Sequence, residues 1–130
     1  MSYRVIQWAT GTVGIHAVPA IAAHPDLELA GLWVHSDGKA GRDAGELCGV
    51  APLGVVATQD ADALLASDAD AICYTAHSDV RPHEVVTDLC RMLAAGKNVV
   101  NPSFVPLLWP AAAGEGVLDP REASLLSTSA

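Results

Sequence analysis

The stretch that decides the fold is Ala9-Thr10-Gly11-Thr12-Val13-Gly14-Ile15-His16-Ala17. It follows an apolar run over residues 5–9 and leads into residues 15–23, which are typical of a helix that ends before Pro25. A second apolar run, residues 27–34, completes a unit of about thirty residues. A strand, a glycine turn, a helix and another strand in this order predict a right-handed βαβ unit on a parallel sheet.

The two glycines of this turn have different expected roles. Against the fingerprint G-x-G-x-x-G, Ala9 takes the first glycine position, Gly11 the second and Gly14 the third. Gly11 would let the backbone approach a pyrophosphate, whereas Gly14 would let the helix pack closely on the strand. The N–H groups of the turn would point at phosphate oxygens, aided by the helix dipole. The alternative is a tight turn without a ligand. The residues predicted to bind the pyrophosphate are Thr10, Gly11, Thr12, Val13 and Gly14.

The rest of the chain continues the alternation of strands and helices. The further predicted elements are strands at 55–57, 71–74 and 98–100 and helices at 60–66 and 82–95. Asp60 and Gly96 supply the start and stop signals of the two helices, and residues 35–53 have loop composition with one expected helical turn. The pattern predicts an α/β domain of Rossmann type over residues 1–118, a doubly wound parallel sheet of five or six strands. Residues 119–130 are expected to be a shortened tail, with the sixth strand at 124–127.

Composition and charge exclude several classes of partner. The net charge of −8, from fifteen acidic residues against seven Lys and Arg, opposes binding to nucleic acid and to an anionic membrane surface. Phe, Tyr and Trp make up only 5% of the chain, too few for stacking single-stranded bases. No signal peptide or membrane span is visible, so a cytoplasmic protein is expected. A dinucleotide stays compatible, because backbone N–H groups can hold its phosphates.

The histidines and cysteines predict no metal site. Zinc needs three or four convergent ligands, and the five histidines are too widely spaced. His77 alone is a site candidate, because it follows the end of a predicted strand. Cys73 lies in an apolar run and is expected to be a buried thiol.

The end of the second predicted strand bears on the choice of cofactor. In NAD-specific sites an acidic residue about 20 positions after the glycines binds the ribose 2′-OH. Here His35 and Ser36 stand at that place, and Asp37 comes slightly late. An imidazole, a hydroxyl and the ammonium of Lys39 could instead accept a 2′-phosphate, with Arg42 in reserve. NADP(H) is therefore favoured, while Asp37 leaves NAD(H) open.

The glycine turn, the His35-Ser36 strand end and the run Gly96-Lys97-Asn98-Val99-Val100 together resemble one family. It is the N-terminal domain of dihydrodipicolinate reductase and its relatives, including the branch of 2,4-diaminopentanoate dehydrogenase and similar amine dehydrogenases. The family's G-x-x-G-x-x-G/A turn matches Gly11, Gly14 and Ala17, and its fourth strand end matches residues 74–76. The resemblance extends over residues 3–118.

This resemblance implies an oxidoreductase site. The nicotinamide would lie near Thr75, Ala76 and His77 and near Asn101-Pro102-Ser103, at the ends of the fourth and fifth strands. The reaction would be hydride transfer at a C=N or C–N carbon of a small amine, imine or amino-acid-like substrate. Family members carry a second, α+β domain with most substrate contacts and the acid/base residues, and this chain is expected to lack it. The catalytic residues therefore stay unassigned, and a non-catalytic nucleotide-binding module or a truncated fragment remain the alternatives.

The tail contains an apolar patch. Its residues are Phe104, Val105, Leu107, Leu108 and Trp109. Left bare by an absent domain, the patch would favour association of the chain into a homo-oligomer. The alternative is that these residues pack back on the sheet as an ordinary core edge.

Overall fold

A computed structural model describes residues 2–77, 81–102 and 104, and these residues form a five-stranded parallel sheet with helices on both faces. The strands are β1 (Tyr3–Trp8), β2 (Leu27–Trp33), β3 (Ala57–Thr58), β4 (Ala71–Tyr74) and β5 (Asn98–Val100), in the order β3-β2-β1-β4-β5. The helices are α1 (Gly14–Ala23), α2 (Ala44–Leu47), α3 (Ala61–Ala66) and α4 (Pro82–Ala94). The predicted Rossmann-type fold is confirmed. The sixth strand predicted at 124–127 lies outside the described residues.

The strand β1 is buried on both faces, as the central strand of a parallel sheet must be. Its side chains alternate: Val5 packs with Val18 and Ile21 of α1, whereas Ile6 and Trp8 pack in the cluster that contains α4. The four α4 residues of that cluster are Val85, Val86, Leu89 and Met92. Phe104 joins it at 3% exposure, so this residue of the apolar patch packs back on the core. The other patch residues lie outside the described part.

The helix signals read from the sequence coincide with the helix ends. The Asp60 carboxylate accepts a hydrogen bond from the N–H of Ala63 at the start of α3. Pro82 occupies the first turn of α4, where its missing N–H costs nothing. Gly96, at φ +80°, follows the end of the same helix. In the described ranges, no helix is both long and apolar enough to cross a membrane.

The main correction concerns the third strand, which was expected at residues 55–57 and lies at Ala57–Thr58. Val55 and Val56 instead close the preceding loop. The carbonyl of Val55 accepts from the N–H of Ala44, and Val56 forms an antiparallel bridge with Asp43. Val55 and Val56, which their apolar character predicts as strand residues, therefore pair with the start of the loop 43–54 instead.

Smaller corrections affect β1, β2, α4 and one cysteine. β1 begins at Tyr3, whose N–H donates to the carbonyl of Asp26, and ends before Ala9, where the backbone turns. β2 and α4 each end one residue earlier than expected. Cys73 is partly rather than fully buried, because its side chain lies at the margin of the cluster on the α1 face.

Candidate functional site

The candidate site lies where the carboxyl ends of β1, β2 and β4 meet. The chain runs from β1 outward through β2 and β3 in one direction and from β4 to β5 in the other. The order therefore reverses between β1 and β4. In open α/β sheets, ligands bind in the crevice at such a switch point. Residues 9–13 connect β1 to α1 at this place.

Gly14 and Gly11 are glycines for different reasons. A Cβ on Gly14 would lie 2.2 Å from the carbonyl oxygen of Ala9 and 2.9 Å from Oγ1 of Thr75, so no side chain fits between α1 and the strand ends. A Cβ on Gly11 would meet nothing within 4 Å. The protein itself does not require a glycine at position 11, and the space beside it is open to a ligand.

The N-terminus of α1 has no cap. Its N-cap residue, Val13, makes no side-chain hydrogen bond, and its first turn holds no acidic residue. In the described part of the chain, no acceptor faces the N–H groups of Thr12, Val13 and Gly14. Val13 is 51% exposed. Unsatisfied N–H groups and a positive dipole end make such a terminus suitable for an anion.

A buried polar cluster supports this turn from below. Gln7 is fully buried in β1, and its Nε2 donates to the carbonyl of Ala9 at 2.9 Å and to Oγ1 of Thr75 at 2.8 Å. Ala9 adopts φ +78°, the left-handed conformation suited to the glycine that the fingerprint has there. Gln7 was not among the predicted site residues. The signal that could have found it is a polar residue in the middle of an apolar strand.

Lys39, predicted for the adenosine end, reaches the glycine turn. Its Nζ donates to Oγ1 of Thr10 at 3.1 Å. The side chains of His35 and Ser36 are exposed beside it at the end of β2. Asp37 is held differently, because Nε2 of Gln59 donates to its carboxylate at 2.9 Å. The structure therefore brings a cation, and not the late carboxylate, to the glycine turn.

A cavity of about 310 Å³ lies beside the turn, between the strand ends and the start of α4. It joins residues predicted from separate stretches, namely His35, Ala76 and His77. Asn101 is not among its lining residues, and its Oδ1 accepts from the N–H of Phe104 at 3.1 Å. Ser103 lies outside the described residues.

The wall of this cavity is aromatic. Trp8, Trp33 and Tyr74 are the last residues of β1, β2 and β4. The rings of Trp8 and Trp33 stack with centroids 4.8 Å apart at 11°, and those of Trp8 and Tyr74 lie 6.5 Å apart at 18°. Trp33 and Tyr74 line the cavity. The low aromatic content of the whole chain gave no indication that three aromatic residues meet at one site. The sequence signal that could have found them is an aromatic residue at the end of each of the three strands.

Two pairs of ionisable side chains line the cavity at the end of β4 and the start of α4. The Tyr74 hydroxyl donates to Oδ2 of Asp88 at 3.4 Å. Burial raises the pKa of Asp88, and burial together with the Asp88 carboxylate raises the pKa of Tyr74. At the rim, Arg81 pairs with Glu84 at 2.8 Å. The partly buried pair of Tyr74 with Asp88 and the exposed pair of Arg81 with Glu84 thus line the same cavity.

Comparison with known proteins agrees with this geometry. Residues 5–100 match the family described as dihydrodipicolinate reductase, N-terminus. The chain belongs to this family. The predicted resemblance is confirmed, and the domain is the NAD(P)-binding domain of this group of oxidoreductases.

Individual relatives share the domain. An amine dehydrogenase of Streptomyces virginiae is 46% identical over 103 residues, which is 78% of this chain and 29% of the relative. A 4-hydroxy-tetrahydrodipicolinate reductase of Anaeromyxobacter sp. is 40% identical over 73 residues, or 56% of this chain and 27% of the relative. The structure of an amine dehydrogenase from Mycobacterium smegmatis superposes with a TM-score of 0.81 at 21% identity, covering 99% of this chain and 37% of the other. The chain thus spans between 27% and 37% of the length of these proteins.

Proposed function

We propose that this domain binds NADP(H) in preference to NAD(H), with the pyrophosphate on the turn formed by residues 10–14. The observation that carries the pyrophosphate assignment is the uncapped start of α1, next to a Gly11 that has open space beside it. A pyrophosphate there would complete the helix terminus. It would need no further cation, which fits a chain with a net charge of −8.

The 2′-phosphate is assigned to His35, Ser36 and Lys39. The position of the Lys39 ammonium, 3.1 Å from Thr10, supports this assignment. The engagement of Asp37 with Gln59 supports it further, because this carboxylate is then not directed at a ribose 2′-OH. The nicotinamide is assigned to the ends of β4 and β5, near Thr75, Ala76, His77 and Asn101.

For the whole protein we propose hydride transfer at a C=N or C–N carbon of a small amine or amino-acid-like substrate. The support is the similarity to proteins called amine dehydrogenase and 4-hydroxy-tetrahydrodipicolinate reductase. The dinucleotide would supply or accept the hydride. The residues of this domain would bind the cofactor and orient its nicotinamide at the crevice, and acid/base residues are not assigned to it. Turnover of amines by the whole protein with NADP⁺ tests the proposal, and a dinucleotide-dependent reaction confined to substrates without nitrogen would overturn it.

Titration calorimetry of the 130-residue chain with NADPH and NADH tests the cofactor assignment. We expect tighter binding of NADPH. Lys39→Met keeps the apolar stem and removes the charge, so NADPH affinity should fall about tenfold or more, as for loss of a charged hydrogen bond, while NADH affinity should not change. Arg91→Met, which removes an exposed cation near the end of α4, is the control and should leave both affinities unchanged.

Two results would contradict these assignments. If well-folded protein binds neither dinucleotide, the glycine turn is only a turn. If Lys39→Met weakens NADPH and NADH equally, Lys39 acts through its bond to Thr10 rather than on the 2′-phosphate. Circular dichroism and a cooperative thermal transition verify the fold of each variant.

A further inference from the structure

Gln7 places a polar amide in the apolar core of β1, and packing of the sheet does not require it there. The side chain lies on the α1 face of β1, where the neighbouring strands place Leu32 and Cys73 beside it in register. Gln7 is 0% exposed, and its Oε1 has no hydrogen-bond partner among the described residues. Burying a polar group without a partner is unfavourable. An apolar residue would avoid that cost, so the amide is best explained by what its Nε2 holds.

The Nε2 group holds the one peptide of the turn that is strained. Among the described non-glycine residues, only Ala9 has a positive φ, a conformation that is unfavourable for a residue with a Cβ. Its carbonyl accepts from Gln7 at 2.9 Å and lies 3.4 Å from the Thr75 hydroxyl. Its N–H donates to the carbonyl of Trp33 at 2.8 Å. Ala9 is therefore fixed at both its N–H and its carbonyl.

The direction of this carbonyl decides which way the turn faces. The Ala9 oxygen is engaged by Gln7 and Thr75, whereas the N–H groups of Thr12 and Val13 donate to no acceptor among the described residues. A carbonyl turned toward those N–H groups would place an oxygen where an anion must bind. Thr75 belongs to the same arrangement, since its Oγ1 accepts from Gln7 at 2.8 Å.

We propose that Gln7 is a positioning residue for the dinucleotide. It holds the Ala9 carbonyl beneath the turn and thereby keeps the anion-binding N–H groups facing the ligand. The proposal rests on the function proposed above, and it adds a residue that touches neither phosphate nor ribose. Nε2 of Gln7 donates to two protein acceptors, and the unpaired Oε1 is the energetic cost of burying this amide.

The test is the dinucleotide affinity of Gln7→Met, which keeps the length of the side chain and removes both hydrogen bonds. NADPH affinity should fall about tenfold, with a normal fold. Val5→Ala is the matched control, because Val5 lies on the same strand and face and is 7% exposed. It should lower the thermal midpoint and leave the affinity of the folded protein unchanged. Wild-type affinity in Gln7→Met would overturn the proposal.

Ala9→Gly separates positioning from a general effect on the core. Glycine adopts φ +78° freely, so adding Ala9→Gly to Gln7→Met should restore most of the lost affinity. If Gln7→Met does not fold, NADPH affinity is measured on the double variant instead, because glycine at position 9 removes the backbone strain that Gln7 otherwise offsets. A folded double variant that still binds about tenfold more weakly would show that Gln7 does not act through Ala9.

A readout without ligand distinguishes this proposal from the function on which it rests. The NOE between the amide and α protons of Ala9 reports the sign of its φ by NMR, because the two protons lie closer together at positive φ. In Gln7→Met this NOE should weaken. An unchanged NOE would overturn the proposal even if the wild-type protein bound no dinucleotide. A weakened NOE together with no wild-type binding would reject the cofactor assignment alone.

Discussion

The glycine turn at 9–14 and the loop 43–54 begin their helices in opposite ways. At α2, the Asp43 carboxylate accepts from the N–H groups of Gly45, Leu53 and Gly54 at 2.7, 2.9 and 2.8 Å. The first turn of α1 contains no acidic residue, and Val13 makes no side-chain cap hydrogen bond. Both regions contain a glycine whose added Cβ would collide with a backbone carbonyl oxygen, at 2.1 Å for Gly45 and 2.2 Å for Gly14. Both helix starts exclude a side chain at that glycine, but the N-cap residue Val13 has helical backbone angles whereas Asp43 is extended. The loop supplies its own anion in Asp43, and for the turn we propose a ligand in the corresponding place.

Replacing the glycine that packs against a carbonyl should lower the free energy of unfolding more than any other change in either region. In Gly14→Ala the new Cβ would collide with a backbone oxygen, so α1 must move from the sheet at a cost of about 3 kcal/mol, the upper end for overpacking. Gly45→Ala meets the same obstacle at Ala51. Urea unfolding should show comparable losses for both variants, but only Gly14→Ala should also lose dinucleotide binding. If Gly45→Ala lost dinucleotide binding as completely as Gly14→Ala, the contrast between the turn and the loop would be wrong.

Introducing a carboxylate into the turn should make it resemble the loop. Gly11→Asp has room for its side chain, so the fold should survive, while repulsion and steric block should lower dinucleotide affinity at least about 100-fold. Gly11→Asn controls for size without the charge and should bind better than the aspartate. Calorimetry measures both variants. Wild-type affinity in Gly11→Asp would reject the pyrophosphate assignment.

Acid should affect the loop before the turn. Hydrogen bonds from backbone N–H groups, led by that of Leu53, lower the pKa of Asp43 below its ordinary value of 3.8. The stabilisation is therefore fully present above pH 3.8 and is lost as the pH falls through the lowered pKa of the folded state. Asp43→Asn remains a good N-cap and should lack this acid-dependent component. Thermal melts between neutral and acidic pH should show a smaller decline in the variant. Parallel curves would contradict the role of Asp43.

Local patterns predicted the elements whose signals lie within a few residues of one another. β4 and β5 occur at the expected positions, and so do the capping by Asp60 and the stop at Gly96. The third strand was misplaced because its residues pair with Asp43, more than ten positions earlier. Apolar character alone cannot distinguish a residue that pairs in the sheet from one that closes a loop.

In the candidate site too, features set by neighbouring residues could be predicted, and contacts between distant residues could not. The glycine turn could be found from spacing, since the fingerprint encodes a local backbone path. The contact of Lys39 with Thr10 and the contact of Gln7 with Thr75 join residues 29 and 68 positions apart. They follow from the parallel pairing of β1 with β2 and β4, which places strand ends together only once the order of the sheet is known. The sequence contained the residues, but their meeting depended on the topology.

The stacked indoles at the ends of β1 and β2 give the site an optical property. Trp8 and Trp33 overlap at 4.8 Å, and Trp33 forms part of the cavity wall. A reduced nicotinamide absorbs light where tryptophan emits, so a cofactor bound in this crevice accepts excitation energy from these rings. Occupancy can then be followed by emission at protein concentrations far below those of calorimetry. Trp33→Phe should remove much of the signal and identify the ring that reports it.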